Sequence, residues 1–135
     1  MLCLDTGIVI GVMSGRSPNY AFRLQAEVGG GVRVLVPAIV IYELRFGIAR
    51  STRRAANERA LDLFLSPLET PSFDTNDEAE AADIRAGLHR RGTPIGPYDI
   101  LVAAQARRRG AAVVTAKLRV FRRIQGLLVQ DWSAE

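Results

Sequence analysis

Short apolar runs alternate along the chain with longer segments in which apolar residues recur every three or four positions. Leu2 to Leu4, Val32 to Val36, Ala111 to Val114 and Leu127 to Val129 are runs of the first kind, and they read as short buried strands. The periodic segments predict helices over Thr6 to Met13, Tyr20 to Val28, Pro37 to Arg50, Asn57 to Leu65, Asn76 to Arg91 and Pro97 to Arg109. Turn formers separate them. Ser14 to Asn19 reads as a loop and Gly29-Gly30-Gly31 as a stop, while Pro37 opens a helix at a position where its missing N–H costs nothing. Thr75 and Glu78 carry the spacing of a capping box, Gly92 and Gly110 each follow a helical segment as a C′ residue, and Thr93 to Gly96 connects two helices. Pro71 to Phe73 is expected as an edge strand. This alternation predicts an α/β fold with a central, mainly parallel sheet of four to five short strands flanked by helices. With no repeat, low-complexity tail or linker, residues 1–135 read as a single domain.

A chain of 135 residues can bury roughly two-thirds of the surface it would expose unfolded, so it needs no disulfide. Its one cysteine, Cys3, lies in an apolar strand and reads as a small hydrophobe in a reducing compartment, which points to the cytoplasm. The N-terminus lacks the basic and long apolar regions of a signal peptide, and no apolar run is long enough to span a membrane. The net charge of +4 is written almost entirely in arginine, Lys117 being the only lysine. Arginine suits phosphate recognition through its planar fork; a GC-rich genome would also write it, and each of Arg53-Arg54, Arg107-Arg108-Arg109 and Arg122-Arg123 also reads as a solvated helix face. His89 falls in the last turn of a predicted helix, where a cation complements the helix dipole.

Three acids stand where the pattern asks for apolar residues. Asp5 closes the first strand, at the strand end where open parallel sheets bind ligands, and also reads as an N-cap for the helix from Thr6. Glu43 has Ile39, Val40, Phe46 and Gly47 as its helical neighbours, so it projects from a face that should be buried. Its alternative is an ion pair with an arginine, which Arg45 cannot supply from two positions away. Asp99, in the first turn of the helix opened by Pro97, borders an apolar stripe and is also favoured there by the helix dipole. An unpartnered buried carboxylate costs several kcal/mol or more. Three converging carboxylates would select Mg²⁺ or Mn²⁺ over Zn²⁺, and such an ion can activate water for attack on a phosphodiester.

At these residues the chain resembles the PIN-domain ribonucleases of the VapC toxin type. The matching stretches are Leu4-Asp5-Thr6, Pro37-Ala38-Ile39-Val40 through Glu43-Leu44-Arg45-Phe46-Gly47, Gly92 through Ala104, Val113-Val114-Thr115, and Gly126 through Trp132. The resemblance implies an endoribonuclease dependent on Mg²⁺ or Mn²⁺ that acts on RNA, tRNA included. It also implies a cognate antitoxin that inserts a peptide into the active-site groove, and a homodimer. Asp5, Glu43 and Asp99 match the family's metal ligands, while Thr6 and Thr115 match its supporting hydroxyls. Lys117 is expected to contact substrate phosphate or to occupy part of the space a second cation would use, and an arginine near the cleft, Arg85 or Arg119, to hold the RNA backbone.

Two departures accompany the match. Gly7 stands where the family commonly has Asn or Ser, and Thr115-Ala116-Lys117-Leu118-Arg119-Val120-Phe121 lacks the fourth acid. A one-metal site, or a catalytically weak scaffold that binds RNA or antitoxin without cutting, is therefore the competing expectation. Asp5-Thr6-Gly7 also mimics the signature of retroviral-type aspartic proteases, but the helical caps exclude that all-β class. A haloacid-dehalogenase-like phosphatase would need an acid at Gly7, and no phosphate-binding Gly-x-x-x-x-Gly-Lys loop is present.

Overall fold

The computed structural model describes residues 1–133, leaving the last two of the expected domain outside the described residues. The element order is β1 (Leu2–Leu4), α1 (Thr6–Met13), α2 (Pro18–Gly29), β2 (Val34–Leu35), α3 (Ala38–Ala49), α4 (Arg54–Leu65), α5 (Thr75–Arg90), α6 (Pro97–Arg108), β3 (Ala112–Val114), α7 (Leu118–Phe121) and β4 (Leu128–Gln130). The strands form one four-stranded sheet, ordered β2-β1-β3-β4, and every pairing is parallel. β1, β2 and β3 are buried along their whole length, as their unbroken apolar sequences require. β4 is the exposed edge.

The core is built on Leu4, Ile8, Val36, Val40, Leu61, Val102, Val113 and Phe121, all almost fully buried, with Trp132 closing it near the C-terminus. α5 packs along α6, where Ala103, Ala104 and Ala106 present little bulk, and α3 touches α1, α4 and α6. Gly92 ends α5 at φ +68° and Gly110 ends α6 at φ +70°, conformations that penalise any residue with a Cβ. In both turns the following N–H reaches back to the last helical carbonyls, Thr93 to Leu88 and Ala111 to Ala106, completing a Schellman motif. His89 lies in the last turn of α5.

Two expectations change. Residues 71–73 form no strand: only Glu69 bridges to Leu35, and the Gln105 amide donates to the Pro71 and Ser72 carbonyls at 3.1 and 3.0 Å. Pro71 has no N–H to offer a ladder, so a buried side chain satisfies this backbone instead. The sheet accordingly has four strands. The capping box of α5 belongs to Asp74 and Asp77, one residue earlier than Thr75 and Glu78, because Asp74 is extended and its carboxylate accepts from the Asp77 N–H. Among the described residues, no helix is long and apolar enough to cross a membrane.

Candidate active site at the carboxyl edge of the sheet

The register of the two central strands builds the floor of the site. Leu4 of β1 pairs with Val114 of β3, so the next residue of each strand, Asp5 and Thr115, leaves the sheet beside the other. The Asp5 N–H donates to the Val114 carbonyl at 3.0 Å. Thr115 Oγ1 then donates to Asp5 Oδ2 at 2.7 Å, in a spot where Asp5 is 3% exposed and Thr115 is fully buried. Asp5 Oδ1 takes the N–H of Thr6 at 2.9 Å, so the acid is both the N-cap of α1 and a member of the site. The cap occupies Oδ1 and leaves Oδ2 to Thr115.

Helices deliver the other acids. Glu43, in the second turn of α3, accepts the Thr6 hydroxyl at 2.9 Å, which ties α3 to the start of α1. Among the described residues it has no arginine partner: Arg45 points away and pairs with Glu58 and Asp62. Asp99, in the first turn of α6, receives Lys117 Nζ at 3.0 Å. The Lys117 backbone N–H donates to Thr115 Oγ1 at 2.9 Å, so its main chain is held by the threonine that bonds Asp5 while its side chain is held by Asp99. Partial burial pulls the Lys117 pKa down, but the bond to Asp99 and the charges of Asp5, Asp99 and Glu43 outweigh it and leave the ammonium above its ordinary value.

Thus Asp5, Glu43 and Asp99 all act on one cation, Lys117, which the sequence pattern offers either as a phosphate contact or as a group filling part of the space of a second cation. Among the described residues no three acidic, His or Cys side chains stand close enough together to hold a metal ion. The donor chemistry is nonetheless that of a hard cation, carboxylate oxygens with no competing imidazole or thiolate, and a positive charge already sits among them. Cys3, the only thiol, is buried in β1, where burial pushes its pKa up and leaves it unreactive. Gly7 has open space where a side chain would point, so the polar residue expected there is not sterically excluded. Arg85 and Arg119 are exposed on α5 and α7, and neither forms a hydrogen bond or ion pair to the three acids among the described residues.

Sequence reasoning missed the rim of the site. Tyr42 and Tyr98 meet edge to face, ring centroids 5.8 Å apart and planes at 87°, while both remain exposed. The Tyr98 phenol is held above its ordinary pKa chiefly by the Tyr42 phenol beside it, and further by the Glu43 charge. The available signal was that Glu43 and Asp99 are each immediately preceded by tyrosine. An apolar groove of about 380 Å³, walled by Ile10, Met13, Leu44, Ile48 and Leu61, runs up to Glu43 between α1, α3 and α4.

The chain as a whole has counterparts among known proteins. The PIN domain family model matches residues 2–127. The tRNA(fMet)-specific endonuclease VapC of Salmonella typhimurium is 35% identical over 129 residues, covering 96% of both chains. The chain belongs to the PIN-domain family, in its VapC branch. Ribonuclease VapC2 of Rickettsia felis is 30% identical, again over 96% of both chains. The crystal structure of VapBC2 from that organism, bound to a DNA fragment from its promoter, superposes with a TM-score of 0.90 at 28% identity over 98% of both chains. DNA-bound VapBC from Salmonella typhimurium gives a TM-score of 0.88 at 35% identity, over 98% of this chain and 99% of that one.

Proposed function

We propose that this chain is an endoribonuclease dependent on Mg²⁺ or Mn²⁺, the toxin of a toxin–antitoxin pair, hydrolysing phosphodiester bonds of cytoplasmic RNA, tRNA among its substrates. The observation that carries the reading is the hydrogen-bonded chain that links Asp5, Glu43 and Asp99 through Thr6, Thr115 and Lys117 at the carboxyl edge of the sheet. Full-length relatives named as tRNA(fMet)-specific endonuclease and ribonuclease support it.

In this reading Asp5, Glu43 and Asp99 are the residues that would hold the metal. When bound, the ion supplies Lewis-acid polarisation of the scissile phosphate and lowers the pKa of water. The chain's own residues set the geometry. Thr115 fixes the Asp5 carboxylate and Thr6 fixes Glu43, so both are oriented before substrate arrives. Lys117, with Arg119 and Arg85 as the flanking candidates, offers positive charge to the RNA backbone. Tyr42 and Tyr98 present π faces to unstacked bases beside the cleavage point. The apolar groove beside Glu43 suits an antitoxin peptide inserted next to the acids. We extend the reading to a homodimer as the working unit.

A second reading has two observations in its favour: Asp99 is engaged by Lys117, and the fourth acid is replaced around Ala116 and Val120, which suits a scaffold that binds RNA or antitoxin without cutting. Purified protein, free of any partner, is incubated with total RNA in Mg²⁺, Mn²⁺ or EDTA. Metal-dependent fragments that vanish in Asp99→Asn are expected. Intact RNA, bound equally by both proteins, would overturn the enzyme reading and support the scaffold.

A further inference from the structure

Lys117 is the only lysine among eighteen Lys and Arg residues, and its side chain reaches the acid cluster. Every other basic position is arginine. An arginine here would bring a wide planar fork, whereas an ammonium is compact and strongly hydrated, much closer in size and charge density to an inorganic cation. Its anchoring is specific: the backbone N–H is held by Thr115, which in turn holds Asp5, and Nζ lies 3.0 Å from Asp99 Oδ1. The side chain is still 54% exposed against 17% for Asp99, so the lysine can swing outward along its flexible stem while the carboxylate stays in place.

We propose that Lys117 is a tethered counter-cation that occupies the acid cluster in the metal-free protein, and that a divalent ion binds only by displacing its ammonium from Asp99. This rests on the reading of the three acids as metal ligands and adds a competitor for them. It accounts for one feature of this arrangement: among the described residues no three acids stand close enough together to hold a metal ion while the ammonium is bonded to Asp99. The consequence is a weakened metal affinity that makes occupancy depend on free divalent ion, and a lysine released towards solvent, on the side from which RNA phosphate approaches, whenever metal binds.

The test is isothermal titration calorimetry of the full chain with Mn²⁺ alone, comparing the unaltered protein with Lys117→Met, which keeps the stem and removes the charge. Lys117→Gln serves as a second neutral variant should the first fold poorly. Removing one competing positive charge from the cluster is expected to tighten the Mn²⁺ dissociation constant by roughly tenfold or more. Without metal the neutral variants should melt at lower temperature than the unaltered protein, and saturating Mn²⁺ should raise their melting temperature by more. An affinity unchanged or weakened in Lys117→Met would overturn the proposal while leaving the metal site standing. Absence of Mn²⁺ binding in all proteins would overturn both the proposal and the reading of the acids as metal ligands.

Discussion

Replacing Thr115 with valine changes one oxygen for a methyl group of nearly the same shape, at a position with no exposure, and so isolates what that hydroxyl does. The hydroxyl donates to the Asp5 carboxylate at 2.7 Å and accepts the Lys117 N–H at 2.9 Å. A hydrogen bond to a charged acceptor is worth about 1.5–3 kcal/mol, and leaving the Lys117 N–H without a partner adds about 1 kcal/mol. Thr115→Val should therefore cost about 3 kcal/mol in all, read as a fall in the urea midpoint without change of slope and, for a domain of this size, a melting temperature lower by about 10 °C. The companion measurement is the cycle with Asp5→Asn. Because an amide at residue 5 can still meet the threonine hydroxyl but without charge assistance, the valine substitution should cost about 1 kcal/mol less in that background. A loss below about 1 kcal/mol in the single variant, or full additivity in the cycle, would refute the claim that Thr115 orients a charged Asp5.

Two further outcomes follow from other parts of the molecule. Asp77, fully buried under Arg108 and Arg109, pays for its burial but is drawn down to a pKa of about 2 by hydrogen bonds from Arg109, Arg108 and the Asp74 backbone. Its folded pKa lies below the unfolded one, so its stabilisation is complete above about pH 4 and is lost as pH falls towards 2. Acid titration of unfolding should show a loss of about 1–2 kcal/mol in that window, after allowance for solvent screening, and Asp77→Asn should flatten it; an unchanged acid profile would contradict the ion pair. Tyr98→Ala should weaken RNA binding on the order of tenfold, measured by fluorescence anisotropy with an inactive Asp99→Asn protein, while shifting the melting temperature little; unchanged affinity would remove the tyrosines from the substrate path.

What could be read from the residues alone divides by range. β1 and β3 were legible because three or four consecutive apolar side chains can be accommodated only where both faces are covered, and the ends of α5 and α6 because glycine at C′ has one common use. The stretch at residues 71–73 misled because it has strand composition, and only the distant Gln105 amide reveals that its carbonyls are taken. α7 went unseen, since a single helical turn over Leu118–Phe121 carries no period. The acids Asp5, Glu43 and Asp99 stood out as violations of the apolar pattern, and that is a local property. Their pairing is not. Thr115 beside Asp5 depends on strand register, and Lys117 against Asp99 depends on how the turn after β3 folds back over α6. Arg85 and Arg119 stand out by charge alone, and charge does not say which way a surface helix faces.

The most direct test of the central claim is the melting temperature of the unaltered protein and of Asp5→Asn, Glu43→Gln and Asp99→Asn, each scanned with increasing Mn²⁺. If the three carboxylates form one site, the unaltered protein should gain stability by mass action, about 2.7 kcal/mol when the ion reaches a hundredfold excess over Kd, and each amide variant should lose most of that gain. A melting temperature indifferent to Mn²⁺, or a gain that survives all three substitutions, would show that these acids are not a metal site.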